Sequence, residues 1–236
     1  MRWLYAALLL GSVAVPSLWT FDRKLKFYPK LPAVFLSIIG IGAFFVLKDV
    51  IFTRLEVWGF NPQYYSGIRI AGLPLEEWLF FVVIPYASMF LHETVVFLRP
   101  GWRLSDRAAN RISWILIAGS AGMLIFFHDR LYTFFDALFL VAVLTWSLLS
   151  KSGIINRFFL TFGVILVPFF LVNSVLTGSF IPGEVVWYNP GHFMGFRIFT
   201  VPAEDVGYAF SLILGNLLMT DFLVKKITSE KKHRNG

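Results

Sequence analysis

Two pairs of adjacent acidic residues stand in nearly the same setting in this sequence. Glu76-Glu77 and Glu204-Asp205 each begin two residues after a proline. A protonated carboxylic acid can give a proton to a substrate and a nearby carboxylate can remove one, so paired carboxyls in unlike surroundings suit acid–base chemistry. Acids also stabilise the first turn of a helix without any catalytic role. That role explains one acid per helix better than it explains two adjacent acids in both places.

The two acid pairs belong to an internal repeat. Residues 61–77 (NPQYYSGIRIAGLPLEE) align without a gap with residues 189–205 (NPGHFMGFRIFTVPAED) at an offset of 128, and seven of the seventeen positions are identical. When four extra residues are allowed in the second copy, Asp49 also aligns with Asn173. The sequence therefore predicts a tandem duplication.

The elements that carry the acids are predicted to be membrane-spanning helices. The chain is 57% hydrophobic and 15% charged, against roughly 45–50% and about 25% in soluble domains. A span needs about 20 apolar residues, and apolar runs lie at about residues 3–19, 31–53, 74–97, 112–128, 131–150, 155–177 and 202–224. We predict an all-α polytopic membrane protein with about seven transmembrane helices. The first run lacks a clear small-x-small cleavage site, so we interpret it as a helix rather than a signal peptide.

Two parallel three-helix repeats joined by a linking helix account for this order. The predicted domains are a first repeat (1–100), a linker with the fourth helix (101–130), a second repeat (131–225) and a basic cytoplasmic tail (226–236). One linking helix makes both copies enter the membrane in the same sense, which predicts a pseudo-two-fold axis along the membrane normal. Because proline suits the first turn of a helix, all four acids are expected at the starts of helices three and seven, on one side of the bilayer.

The distribution of basic residues predicts the orientation. Fifteen Lys and Arg residues lie in the tail and in the loops after helices one, three and five, against five at the other side. Basic loops face the cytoplasm, so we predict a multi-pass protein of the cell (cytoplasmic) membrane with its N-terminus outside and its C-terminus in the cytoplasm. The tail is expected to contact anionic lipid rather than nucleic acid.

These motifs resemble a known family. Three segments are similar to those of the membrane-embedded, non-flavin carotenoid (lycopene) cyclases. They are PLEEWLFF (residues 74–81), the corresponding PAED of the second repeat (residues 202–205) and the loop with Trp58, Asn61 and Gly67. The resemblance covers nearly the whole chain and is closest to the fused two-repeat form of the heterodimeric-type lycopene beta-cyclase. It implies an intramolecular lyase or isomerase that closes end rings on lycopene within the membrane lipid. It also implies contact with other enzymes of carotenoid biosynthesis.

Cyclisation of this kind needs an acid, a base and stabilisation of a carbocation. The expected catalytic residues are Glu76, Glu77, Glu204 and Asp205. Aromatic faces stabilise cations, although Trp and Tyr also line the membrane interface of most membrane proteins; arginines can orient acids or restrain loops, and a polar side chain within the membrane needs a partner. The residues expected to bind substrate or support the acids are Asp49, Trp58, Asn61, Arg69, Phe80, Phe81, Asn173, Tyr188, Asn189, Arg197 and Tyr208.

Several alternatives stay open at this stage. The histidines show no metal-ligand spacing and no Gly-x-Gly-x-x-Gly follows a strand, so no metal and no cofactor is expected. Glu76 and Glu204 are identical between copies, which favours this pair for a role that depends on geometry, but the sequence does not assign donor and base. A single central cavity is preferred over one in each half. The other functions considered are a carotenoid hydratase, a cyclase of longer carotenoids, a proton-coupled transporter and a non-catalytic scaffold.

Overall fold

A computed structural model describes the backbone of residues 1–234 and the side chains of residues 1–229. The described chain is mainly helical, as predicted. Its helices are α1 (Leu4–Trp19), α2 (Leu31–Arg54), α3 (Leu75–Leu98), α4 (Asp106–Phe126), α5 (Leu131–Ser150), α6 (Ile154–Leu176) and α7 (Glu204–Arg234). The last six are long and apolar enough to cross a membrane. Helix α1 has 16 residues and rises about 24 Å, which is less than the roughly 30 Å of a hydrocarbon core.

The helices differ from the predicted apolar runs mainly in two places. Helix α4 begins at Asp106, where the Ser105 hydroxyl accepts a hydrogen bond from the backbone N–H of Ala108 and caps the helix. Helix α7 continues to Arg234, through most of the predicted basic tail. In both places the additional turns are polar, and a hydropathy pattern detects a span but not its polar extension.

Short strands connect the helices at one end of the bundle. They are β1 (Trp58–Phe60), β2 (Arg69–Ile70), β3 (Leu73–Pro74), β4 (Val186–Tyr188), β5 (Arg197–Ile198) and β6 (Val201–Pro202). The hairpin β2–β3 leads directly into α3, and the hairpin β5–β6 leads into α7. Ala71 and Gly72 have positive φ angles of 53° and 94°, as a two-residue hairpin turn requires. We call this end of the bundle, where α3 and α7 begin, the acid end.

The pairing of β1 with β4 shows how the two repeats are related. The strands are antiparallel, and Gly59 pairs with Trp187 at the centre of the ladder. These two residues are equivalent in the repeat, since their numbers differ by 128. The flanking bonds are equivalent too: Asn61 N–H donates to Val185 at 2.9 Å, and Asn189 N–H donates to Val57 at 2.9 Å. Two equivalent strands paired in this way place a pseudo-two-fold axis through the centre of the ladder.

The helices obey the same pseudo-symmetry. Helix α1 packs on α3 as α5 packs on α7, and α2 packs on α7 as α6 packs on α3. Helix α4 packs on α5 and links the two repeats. The starts of α3 and α7 therefore lie at the same end of the bundle, beside the strands.

Candidate active site

The first acid of each pair holds a loop in place. Glu76 Oε1 accepts a hydrogen bond of 2.7 Å from the backbone N–H of Ser66, and Glu204 Oε1 accepts one of 2.7 Å from that of Met194. Ser66 and Met194 are equivalent residues of the two repeats. Thr133 adds a second hydrogen bond to Glu204, at 2.6 Å. This identical pair thus fixes the loop before each helix, a role that depends on geometry.

The second acid of each pair accepts hydrogen bonds from tyrosines. The Tyr5 hydroxyl on α1 donates to Glu77 Oε2 at 2.5 Å, and the Tyr132 hydroxyl on α5 donates to Asp205 Oδ1. Asp205 Oδ2 accepts a further hydrogen bond from Tyr188 at 3.0 Å. Burial first, and then the Asp205 carboxyl, raise the pKa of the Tyr188 phenol well above its ordinary value, so this phenol remains a donor. Both acids are buried, each with a hydroxyl from the first helix of its own repeat.

Glu77 and Asp205 face one cavity. Its volume is about 350 Å³, within the usual range of roughly 300–1,000 Å³ for small-molecule sites. Its walls come from α1, α3, α6 and α7, from Tyr132 of α5 and from the β1–β4 ladder, and most of their surface is apolar. Among the described residues these two carboxyls are the only ones in the wall. Glu76 and Glu204 are not part of it, although they are buried at the same helix starts.

Aromatic rings surround the two acids. Of the aromatic residues predicted for the site, the wall includes Trp58, Phe80, Tyr188 and Tyr208. Phe81 lies instead in the helix packing, 1% exposed, beside Phe80. The rings support each other: Tyr132 and Tyr188 stack with centroids 5.7 Å apart. The acids therefore lie in an apolar cavity, and the polar groups bonded to them in its wall are phenols.

A lysine lies behind this aromatic wall. Lys48 on α2 is 7% exposed, and no carboxyl oxygen of residues 1–229 lies within 4.0 Å of its Nζ. Its Nζ lies 4.1 Å from the ring centroid of Tyr208 and 4.4 Å from that of Trp58. The rings of Phe52, Tyr132 and Phe45 follow at 5.0, 5.6 and 6.0 Å. We call these five rings the aromatic cage.

The predicted partners Asp49 and Asn173 occupy different surroundings. Asn173 lines the cavity, and its side-chain N–H donates to Phe169 at 3.0 Å. Asp49 is buried outside the cavity wall, and its Oδ2 has no hydrogen-bond partner among the described residues. Asp136 on α5 is similar, with an unpartnered Oδ1 within the described structure. Neither Asp49 nor Asn173 donates to or accepts from a motif acid in this part of the chain.

The predicted asparagines and arginines shape the loops. Asn61 accepts a hydrogen bond from the backbone of Gln63 at 3.0 Å, and Asn189 accepts one from that of Gly191 at 2.9 Å, so the same turn forms in both repeats. Arg197 donates to the Thr200 carbonyl at 2.6 Å and lies 3.9 Å from Glu184. Arg69 is exposed and lies 6.0 Å from the ring of Tyr65. In the described structure neither arginine pairs with a motif acid. Arg197 restrains its loop through these contacts, whereas Arg69 shows only the distant approach to the Tyr65 ring.

Sequence reasoning missed three residues of the site. They are Lys48 and one tyrosine on the first helix of each repeat, Tyr5 and Tyr132. Leu4-Tyr5 recurs as Leu131-Tyr132 at an offset of 127, and this short repeat was the available signal. Lys48 is the one Lys or Arg in the sequence that lies more than three residues inside a predicted apolar run. A basic residue within an apolar span is a functional candidate by default.

These observations define a polytopic helical membrane protein, built from a duplicated unit, with two buried acids in one apolar cavity. The sequence profile of the lycopene cyclase family matches residues 2–95 and 129–223, once in each repeat. The chain therefore belongs to the lycopene cyclase family and is a carotenoid cyclase of the membrane. No curated protein and no solved structure matches it significantly. Within the described residues no group of three or more His, Asp or Glu side chains could hold a metal ion.

Proposed function

We propose that this chain closes the end rings of lycopene by acid–base catalysis without a change of redox state. Glu77 donates the proton and Asp205 acts as the base. One observation carries the proposal: a carboxyl from each repeat lines the same apolar cavity. A desolvated, water-poor site of this kind suits a reaction that passes through a carbocation.

The hydrogen bonds support this division of roles. Bonds donated to a carboxylate favour its charged form. Asp205 accepts from two phenols, whereas Glu77 accepts from one. Asp205 is therefore the better-stabilised carboxylate, and Glu77 is the carboxyl that keeps its proton.

The reaction then proceeds in three steps that balance. Glu77 gives a proton to the terminal double bond of lycopene, which leaves a carbocation on the adjacent carbon. The next suitable double bond attacks this cation and closes the ring, and the positive charge moves to a ring carbon. Asp205 removes a proton next to that carbon, which forms the ring double bond. The product is an isomer of the substrate, and a proton returns to Glu77 before the next turnover.

The aromatic wall stabilises the intermediate cations. Trp58, Tyr188 and Tyr208 line the cavity beside the two acids, and an aromatic face attracts a positive charge. The phenol hydroxyls of Tyr132 and Tyr188 are directed to Asp205. These two bonds hold the Asp205 carboxyl in a fixed position in the cavity wall.

The surroundings of the cavity favour entry of the substrate from lipid. Gly11 and Ser12 of α1 and Pro168 and Phe169 of α6 form one side of the wall. A polyene has a negligible concentration in water, so we propose that it enters between α1 and α6.

The distribution of basic residues supports the orientation of the chain. The basic loops face the cytoplasm, so the acid end faces the outside of the cell membrane.

Expression in a lycopene-accumulating bacterial host tests the proposal. The expected product is a cyclic carotenoid of unchanged mass, with beta-type end rings, and the chromatographic position distinguishes beta rings from other ring types. A product heavier by one water would identify a hydratase instead. Unchanged lycopene beside well-inserted protein would contradict the proposal and favour a longer carotenoid or transport.

A further inference from the structure

The aromatic cage of Lys48 and the wall of the cavity share rings. Trp58, Tyr132 and Tyr208 belong to both. The Lys48 ammonium is thus separated from the cavity by a layer of aromatic side chains and is not part of the cavity wall. Five ring contacts favour the charged ammonium over a neutral amine, because aromatic faces attract cations.

More buried carboxyls than buried cations lie around Lys48. The ionisable groups that face it come from α2, α3, α5 and α7, and they are Asp49, Glu77, Tyr132, Asp136, Asp205 and Tyr208. Four of these groups are buried carboxyls, whereas Lys48 is the one buried cation among the described residues. A buried charge is costly unless it is compensated. One cation therefore supports one carboxylate, and the other three carboxyls remain protonated.

The hydrogen bonds favour one of these carboxyls for the negative charge. Asp49 receives a side-chain hydrogen bond from the Trp58 indole, but its Oδ2 and Asp136 Oδ1 lack partners within the described structure. A negative charge on either therefore has fewer hydrogen-bond donors than one on Asp205. Asp205 accepts from two phenols, and the ionisable groups that face it are Tyr132, Tyr188, Glu204 and Lys48. One of them, Tyr132, is also a ring of the cage, so a single side chain contacts both the cation and the carboxylate.

We propose that Lys48 is the counter-ion of the active site, a positioning residue that holds Asp205 as the base while Glu77 stays protonated as the acid. It acts across the aromatic wall and does not touch the substrate. This inference rests on the proposed function of Glu77 and Asp205. It explains why the two acids, which are equivalent in the repeat, can have opposite roles: the residue equivalent to Lys48 in the second repeat is Val172, which lines the cavity and carries no charge.

The pH dependence of activity tests this role. Wild-type protein, Lys48→Met, Lys48→Arg and the control Lys225→Met are purified in lipid nanodiscs and supplied with lycopene over a range of pH. Lys225 is an exposed residue near the other end of the molecule. Without the cation, Asp205 needs a higher pH to ionise, so Lys48→Met should lose at least about tenfold in rate at neutral pH. The acidic limb of the pH–rate profile of Lys48→Met should also move to higher pH. The profiles of Lys48→Arg and Lys225→Met should keep the acidic limb of the wild-type protein.

Two outcomes of this experiment would overturn the inference. Lys48→Met that is folded and has the wild-type rate and pH profile would show that the charge is not needed. Full recovery of activity in Lys48→Met/Asp49→Asn would show that Lys48 only neutralises Asp49. An inactive wild-type protein would instead refute the proposed function, so the two failures are distinguishable.

Infrared spectroscopy gives a second test in case Lys48→Met does not fold. Difference spectra of wild-type protein against Asp205→Asn should show the loss of a carboxylate band. Spectra against Glu77→Gln should show the loss of a protonated carboxyl band. Loss of a protonated carboxyl band in Asp205→Asn would overturn the inference.

Discussion

The cavity on the side of α1 and α6 has a filled counterpart on the side of α5 and α2. Ser12 and Val172 line the open cavity. The equivalent residues, Phe139 at an offset of 127 and Lys48 at an offset of 124, occupy the counterpart. Phe139 contacts Phe44 and Phe45 with centroid distances of 5.0 and 5.4 Å, and Lys48 lies within the aromatic cage. The backbone symmetry of the duplicated fold is therefore kept while the size of a few side chains removes one of two possible sites.

The comparison also explains why each repeat keeps its acids. The loop-holding pair, Glu76 and Glu204, makes the same contact in both copies, because both copies need the same hairpin. The cavity pair, Glu77 and Asp205, differs in length and in hydrogen bonding. In the proposed mechanism, one cavity with two different acids contains both a donor and a base, whereas two symmetric cavities would each have needed both.

The largest effect is expected for the two cavity acids. Glu77→Gln and Asp205→Asn should each lower turnover by about 10²–10⁴-fold, because each removes one half of the acid–base pair. The matched control is Asp136→Asn on the filled side, which should keep most of the activity. Pigment analysis of membranes with equal amounts of protein measures all three. Equal losses in Asp136→Asn would remove the distinction between the two sides.

Filling the open cavity should have the next largest effect. Ser12→Phe places in α1 the residue type that the second repeat has at Phe139, so substrate can no longer reach the acids. We expect a loss of about 10²-fold, as for a misplaced substrate. Ser12→Ala, which removes only a hydroxyl bonded to the Leu8 carbonyl, should remain active. An active Ser12→Phe would show that lycopene binds elsewhere.

The centre of the pseudo-two-fold axis offers a test of stability. A Cβ atom at Gly59 would overlap the indole of Trp187, its equivalent in the second repeat. Gly59→Ala should therefore lower the free energy of unfolding by about 1–3 kcal/mol, measured by thermal unfolding in detergent. Gly59→Ala/Trp187→Ala should be no less stable than Trp187→Ala alone. A further loss in the double variant would contradict the overlap as the cause.

The smallest effect is expected for the loop-holding acids. Glu76→Gln and Glu204→Gln keep an oxygen that can accept the loop N–H, so each should cost no more than about 0.5–1.5 kcal/mol of stability and leave most of the activity. Glu76→Ala leaves the Ser66 N–H without its acceptor and should cost about 1–3 kcal/mol. Cyclase assays and thermal unfolding on the same samples separate the two effects. If Glu76→Gln were as inactive as Glu77→Gln, the proposed assignment of catalysis to Glu77 rather than Glu76 would be wrong.

Much of the fold could be predicted because its signals are local. Apolar runs located the spans, and the 128-residue offset located the duplication and the parallel repeats. The sequence also placed all four acids at the starts of α3 and α7. It did not reveal which acid of each pair faces the cavity, because neighbouring helical residues point about 100° apart and the rotation of the helix is set by the loop that Glu76 or Glu204 holds.

The remaining features of the site depend on contacts between distant segments. Tyr5 and Tyr132 reach Glu77 and Asp205 across more than 70 residues of sequence. Trp58 meets Tyr188 through the β1–β4 ladder, which no local pattern predicts. The filled counterpart of the cavity results from the side-chain volume of Phe139. It can be recognised only when α1 and α5 are compared as equivalent helices of the two repeats.

Cyclisation by the purified protein in D2O tests the central claim most directly. Lycopene is supplied to wild-type protein and to Glu77→Gln in nanodiscs, and the products are separated and analysed by mass spectrometry. Proton transfer from Glu77 predicts one deuterium in every new ring made by the wild-type protein, and almost no ring formation by Glu77→Gln. Rings without deuterium, or rings formed by Glu77→Gln at the wild-type rate, would contradict it.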